Sequence, residues 1–63
     1  MRPIEILYRE FCERIAQEFE AEANRYEEHP HLEDADYLFI LSLRERANHL
    51  REQIRRLDAA YSS

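Results

Sequence analysis

The sequence predicts an all-α fold: an antiparallel two-helix hairpin that dimerises into a four-helix bundle. Three observations carry this expectation. The chain has no glycine and only two prolines, at positions 3 and 30, so Pro30 alone breaks up the interior of the sequence. On each side of Pro30, apolar residues recur at steps of three and four, the spacing of a helix with one buried face. Charged residues make up 37% of the chain, enough to clothe the opposite faces of both helices.

The first helix is expected over about 3–28. Pro3 suits its first turn, where a missing N–H is not needed. Tyr8, Phe11, Ile15, Phe19 and Tyr26 follow Ile4 on one stripe, flanked by Cys12 and Ala23, while Glu5, Glu10, Glu13, Glu20, Glu27 and Glu28 occupy the outer face. The turn, about 29–32, holds His29-Pro30-His31, and Pro30 disfavours helical geometry at the residue before it. The second helix is expected over about 33–60. Glu33, Asp34 and Asp36 crowd its start, and Arg51, Arg55 and Arg56 lie toward its end, as the helix dipole favours. Its heptad seam is Ile40, Leu43, Ala47, Leu50, Ile54 and Leu57. A short turn makes the helices antiparallel, and folding about His31 sets Ile15 near Ala47, Phe19 near Leu43 and Phe11 near Leu50.

All 63 residues form one hairpin domain. A domain of this size buries only ~60% of the surface its unfolded chain exposes, which makes a lone core marginal. Cys12 is the sole cysteine, so no disulfide can reinforce it. Association with a second copy is the stabilising route left, and Tyr8, Phe11, Ile15, Phe19, Ile40, Leu43, Ala47, Leu50, Ile54 and Leu57 are its expected core. The lone thiol and the lack of a secretory pattern predict a cytoplasmic setting, and no apolar run is long enough to cross a membrane.

Several chemistries are excluded or disfavoured. Without glycine there is no phosphate-cradling loop, and all nine basic residues are arginine, so lysine chemistry is absent. The net charge of −5 disfavours non-specific nucleic-acid binding. The turn gathers Glu27, Glu28, His29, His31, Glu33, Asp34 and Asp36, but a proline separates the histidines and no helical face carries a ligand pair; a solvated turn is expected, with no metal and no cofactor. Glu45 and His49 stand four apart on the outer face of the second helix, a surface pair. Cys12 reads as a small core residue, and no serine–histidine–acid arrangement exists, so no enzyme is expected. Glu22 falls within the apolar stripe between Phe19 and Tyr26. It either reaches solvent or pairs with an arginine, or else it fixes register as a buried carboxylate. Arg44, Asn48, Arg51 and Arg55 form a flank suited to salt bridges within or between chains.

One stretch exceeds what a hairpin core requires. Tyr37-Leu38-Phe39-Ile40-Leu41 points in every direction around a helix. Ile40 belongs to the seam and Phe39 to its margin, which leaves Tyr37, Leu38 and Leu41 on a second apolar face beside the turn. That face is expected to be a docking patch for another protein or a broadened subunit contact.

Ser42-Leu43, Ala47 and Leu50 fit the pattern SLxxxAxxL, and Cys12, Ile15, Phe19 and Tyr26 follow a matching core spacing. In these the chain resembles the repressor-of-primer (Rop) family, helical hairpins that dimerise into antiparallel four-helix bundles and bind paired RNA loops through their first helices. Glu22 replaces an apolar core residue of that pattern. At the positions matching the family's RNA-binding face stand Pro3, Glu10, Glu13, Arg14, Ala16, Glu18 and Arg25. Only Arg25 keeps the basic or amide character, Arg14 takes the place of an aromatic, and three carboxylates would repel the RNA backbone. The leading expectation is therefore a homo-oligomeric hairpin that acts as a protein-binding adaptor or regulator. A Rop-like RNA-binding regulator is the alternative.

Overall fold

A computed structural model describes residues 1–62, and these form two helices, α1 (Pro3–Glu27) and α2 (Asp34–Tyr61), packed against each other as an antiparallel hairpin. Local chemistry sets the ends. Pro3 opens α1, and the Glu5 carboxylate reaches back to accept the Arg2 backbone N–H at 3.3 Å. Glu28 keeps right-handed geometry, and its N–H still bonds to the carbonyls of Asn24 and Arg25 before Pro30 ends the ladder. At the start of α2, the Asp36 carboxylate accepts the Glu33 N–H at 2.9 Å, and Asp34 and Asp36 both sit at the positive end of the dipole. Residues 28–33 form the connection, with no positive φ among the described residues, which is how a chain without glycine can turn back.

The helices meet through small residues on one side and branched ones on the other. Cys12, Ala16 and Ala23 of α1 are buried against Ile40, Leu43, Ala47 and Ile54 of α2. Phe19 and Leu32 pack on the cluster of Ala23, Ile40 and Leu43. The stripe facing α2 is thus centred on Cys12 and Ala23, expected only to flank the contact, and on Ala16, which the family resemblance put on an RNA-binding face but which is buried here between the helices. Tyr8, Phe11 and Tyr26 stand 47%, 49% and 38% exposed. Small side chains let the two backbones approach closely, and the bulky residues bank off to one side.

The register also differs from the expected one. Arg9 meets Asp58 and Arg51 meets both Glu13 and Glu20, which puts the fold-back point near Glu33 instead of His31. The cause is the connection, in which Glu28 and Glu33 lie outside both helices.

The hairpin is a rod of 46 × 16 × 13 Å with a radius of gyration of 14.6 Å. A compact globule of this length has a radius near ~11 Å. Its accessible surface is 4996 Å², against about 4,300 Å² for a folded monomer of 7.7 kDa. The rod therefore leaves roughly 700 Å² more surface open than a compact monomer would. Among the described residues, no helix is long and apolar enough to cross a membrane.

Candidate functional site

The two long edges of the hairpin differ in kind. One is locked by charge. Acids stand seven apart on α1 at Glu13, Glu20 and Glu27, and α2 presents Arg44 and Arg51 at the same interval. Arg51 forks onto Glu20, with Nε donating to Oε2 at 2.8 Å and Nη2 to Oε1 at 2.5 Å, while its Nη1 donates to Glu13 at 3.2 Å. Arg44 donates to Glu27 and, at 3.2 Å, to Asn24. Near the chain ends the polarity reverses once, where Arg9 forks onto Asp58 at 2.8 and 3.0 Å, and the Tyr61 hydroxyl then donates to Glu5 in the original sense. Hydrogen bonds from Arg51 hold the Glu20 carboxyl below the usual range, and those from Arg9 do the same for Asp58. Glu5 is lowered by Tyr61 and Arg2, and Arg51 is raised by Glu20 and Glu13. Of the arginine flank read from sequence, Arg44 and Arg51 thus bridge the helices, and Arg55 turns instead to Glu52 on its own helix at 2.6 Å. The Arg9–Asp58 fork was not foreseen, although its signal is in the sequence: Asp58 continues the seven-residue series of Arg44 and Arg51.

The other edge is open and apolar. Ile4, Tyr8, Phe11 and Tyr26 of α1 and Phe39 of α2 are exposed along it, and Ile15, Phe19, Leu50 and Leu57 are only half-buried. Tyr26 and Phe39 meet edge to face, centroids 5.0 Å apart, at its turn end. Midway along lies a groove lined by Ile15, Phe19, Leu50, Arg46, His49 and Glu45. Glu22 faces this side with its carboxylate 42% exposed, and its nearest cation is Arg25, 3.9 Å away on the same helix. Six of the expected oligomer-core residues (Tyr8, Phe11, Ile15, Phe19, Leu50 and Leu57) line this edge, whereas Ile40, Leu43, Ala47 and Ile54 are buried between the helices.

Tyr37, Leu38 and Leu41 form a separate surface. They are 57%, 67% and 53% exposed. Tyr37 and Leu41 border a cleft with Glu27 and Arg44, so they belong to the locked edge, and helical rotation carries Leu38 further onto the outer face. Charge is unevenly spread around them. Residues 26–43 hold Glu27, Glu28, Glu33, Asp34 and Asp36 and no arginine, while the nine acids and nine arginines elsewhere cancel. Glu27 is answered by Arg44, and the four remaining acids, Glu28, Glu33, Asp34 and Asp36, make the turn the acidic end of the rod.

The remaining candidates are structurally plain. Cys12 is buried as a free thiol in the interhelical contact. His29 and His31 are exposed, and among the described residues no three of His, Cys, Asp and Glu converge as a metal site would require. No buried side-chain nitrogen or oxygen among the described residues lacks a hydrogen-bond partner. Glu10, Arg14, Glu18 and Arg25 are exposed on the outer side of α1, and the Arg14 guanidinium lies 5.9 Å above the Phe11 ring. Comparison with protein-family models, with curated proteins and with solved structures finds no match to the chain, so the two surfaces speak through their own chemistry.

Proposed function

We propose that the chain is a homo-oligomeric helical-hairpin protein, dimerised into a four-helix bundle, that acts by binding another protein as an adaptor or regulator. What supports the reading is the presence of two apolar surfaces on different sides of one thin rod. The open edge is long and suits self-association. The patch of Tyr37, Leu38 and Leu41 is a surplus that self-association through the open edge leaves uncovered, and an apolar patch rimmed by charge suits a partner protein. The acidic surroundings favour a partner with basic residues beside its apolar contact. The test is sedimentation together with partner capture, using a Leu38→Glu, Leu41→Glu variant. It should stay dimeric and lose its partners. A variant that keeps every partner, or that dissociates, defeats the docking role.

Rop-like RNA binding is the second reading, and the exposed Arg14 stacked on Phe11, with Arg25 about three turns further along α1 at 75% side-chain exposure, favours it. It requires salt-sensitive affinity for structured RNA that falls in Arg14→Gln and Arg25→Gln variants. No binding to an RNA pool at low salt eliminates it.

A further inference from the structure

We infer that the open edge is covered by a second copy of this chain laid side by side with both turns at the same end, each Glu22 pairing with the partner's Arg46. The inference rests on the dimer proposed above and specifies its geometry. Area comes first: the surplus of roughly 700 Å² per hairpin is close to the ~800 Å² that each partner buries in a standard interface.

Charge then fixes the orientation. The locked edge satisfies its own charges, but the open edge does not. Glu18, Glu45, Arg46 and His49 make no ion pair within the chain among the described residues, and Glu22 has only its long contact to Arg25. The ion pairs of the locked edge give the level of every residue: Arg9 lies beside Asp58, Arg51 beside Glu13 and Glu20, and Arg44 beside Glu27. On that scale Glu22 stands level with Arg46, Glu18 with His49, and Arg25 with Glu45. Within one hairpin Glu22 and Arg46 cannot meet, because each points out of the open edge from its own helix, and Glu18 and Arg25 flank that edge on the outer side of α1.

A two-fold axis parallel to the helices preserves level and sets α1 beside the partner's α2. Glu22 then faces the partner's Arg46, and on the flank Glu18 and Arg25 lie level with the partner's His49, a hydrogen-bond donor, and the partner's Glu45, an opposite charge. The same placement sets Phe11 against the partner's Leu57, and Ile15 and Phe19 against the partner's Leu50, filling the groove. A copy laid the other way inverts the levels and sets Glu22 beside the partner's Phe11 and the Arg14 over that ring, while Arg46 falls at the level of the partner's Leu57 with no acid opposite. Glu22 and Arg46 therefore both meet an opposite charge only when the two turns lie at the same end.

Two measurements on the full chain test this. Glu22→Arg and Arg46→Glu each place like charges together twice per dimer, so each alone should weaken the dimer by at least ~10-fold in sedimentation equilibrium. Mixed one to one, the two variants should associate with each other, because the mixed dimer holds two opposite pairs. No recovery on mixing overturns the inference. Separately, spin labels on His31→Cys in a Cys12→Ala background should lie within ~25 Å of each other, since the turns are neighbours at helix-packing distance. A separation near the 46 Å rod length means a reversed copy and overturns the orientation while leaving the proposed dimer standing. A wild-type chain that sediments as a folded monomer overturns both.

Discussion

Phe11→Gln is the most direct probe of the open edge. Glutamine keeps good helix propensity, so the change removes apolar surface without penalising the helix itself. Phe11 is 49% exposed in the single hairpin. A phenylalanine contributes ~200 Å² when fully covered, so ~100 Å² of its surface is left for a partner, worth ~2.5 kcal/mol at ~25 cal/mol per Å². A symmetric dimer contains the contact twice, giving ~5 kcal/mol, or between three and four powers of ten in the dissociation constant. Sedimentation equilibrium over a range of concentrations reads this constant. Thermal unfolding by circular dichroism reads the same linkage, because a dimer's melting temperature rises with concentration. Ile6→Gln is the control: Ile6 is 44% exposed but lies away from the open edge, so its loss should leave the constant unchanged. If Phe11→Gln matches wild type, or if Ile6→Gln weakens the dimer as much, the assignment of the open edge as the self-association surface is wrong.

Three further outcomes follow from the locked edge and the interhelical contact. Arg51→Met should reduce stability to urea by ~1 kcal/mol, a modest figure because all three partners are partly solvated, and added salt should narrow the difference from wild type. In pH titrations of stability, Glu20, Asp58 and Glu5 have folded values below their unfolded ones. Their contribution is thus complete above the unfolded carboxylate range of about 4 and is lost as pH falls through the lower folded values. A urea midpoint that is flat from neutral pH to about 5 and drops below it is expected, with a shallower drop in Arg51→Met. Ala47→Leu, at a site with no exposure, should force the helices apart and cost ~1–3 kcal/mol; a neutral result in calorimetry would show that the close contact through Ala16, Ala23 and Ala47 does not hold the hairpin together.

The hairpin itself was legible in the sequence, because its determinants are local. Pro3 and Pro30 punctuate two periodic segments, and Asp34 and Asp36 mark the start of the second. The contact stripe was harder to read. Cys12 and Ala16 lie next in sequence to Phe11 and Ile15, and a helical wheel weighted by apolar size favours the bulky neighbour; Ala23, between Glu22 and Asn24, carries too little apolar weight to mark the stripe. The helices chose the small residues because only they permit close approach, and this preference acts between chains of atoms distant in sequence. The register slipped from its expected value for a similar reason. Whether Glu28 and Glu33 belong to a helix or to the connection depends on capping hydrogen bonds, and two such residues move the fold-back point from His31 toward Glu33. The ion-paired edge was half legible. Arginines in a row announced a salt-bridged flank, but their partners could be named only once the register was known. Of the two surfaces, the patch of Tyr37, Leu38 and Leu41 stood out in the sequence because no seam could absorb it. The open edge was visible only as part of a wider core.

The segregation of charge gives this rod an electrical polarity that its modest net charge conceals. Cancelling acids and arginines occupy most of its length, and Glu28, Glu33, Asp34 and Asp36, four acids outside every ion pair among the described residues, lie at the turn. Displaced by about half of a 46 Å rod, they amount to a permanent dipole moment on the order of several hundred debye along the long axis. Such a particle is turned by a field before it is moved by one. Near a cationic surface it would swing acidic end first within the ~10 Å reach of the potential at moderate salt, so that orientation precedes contact.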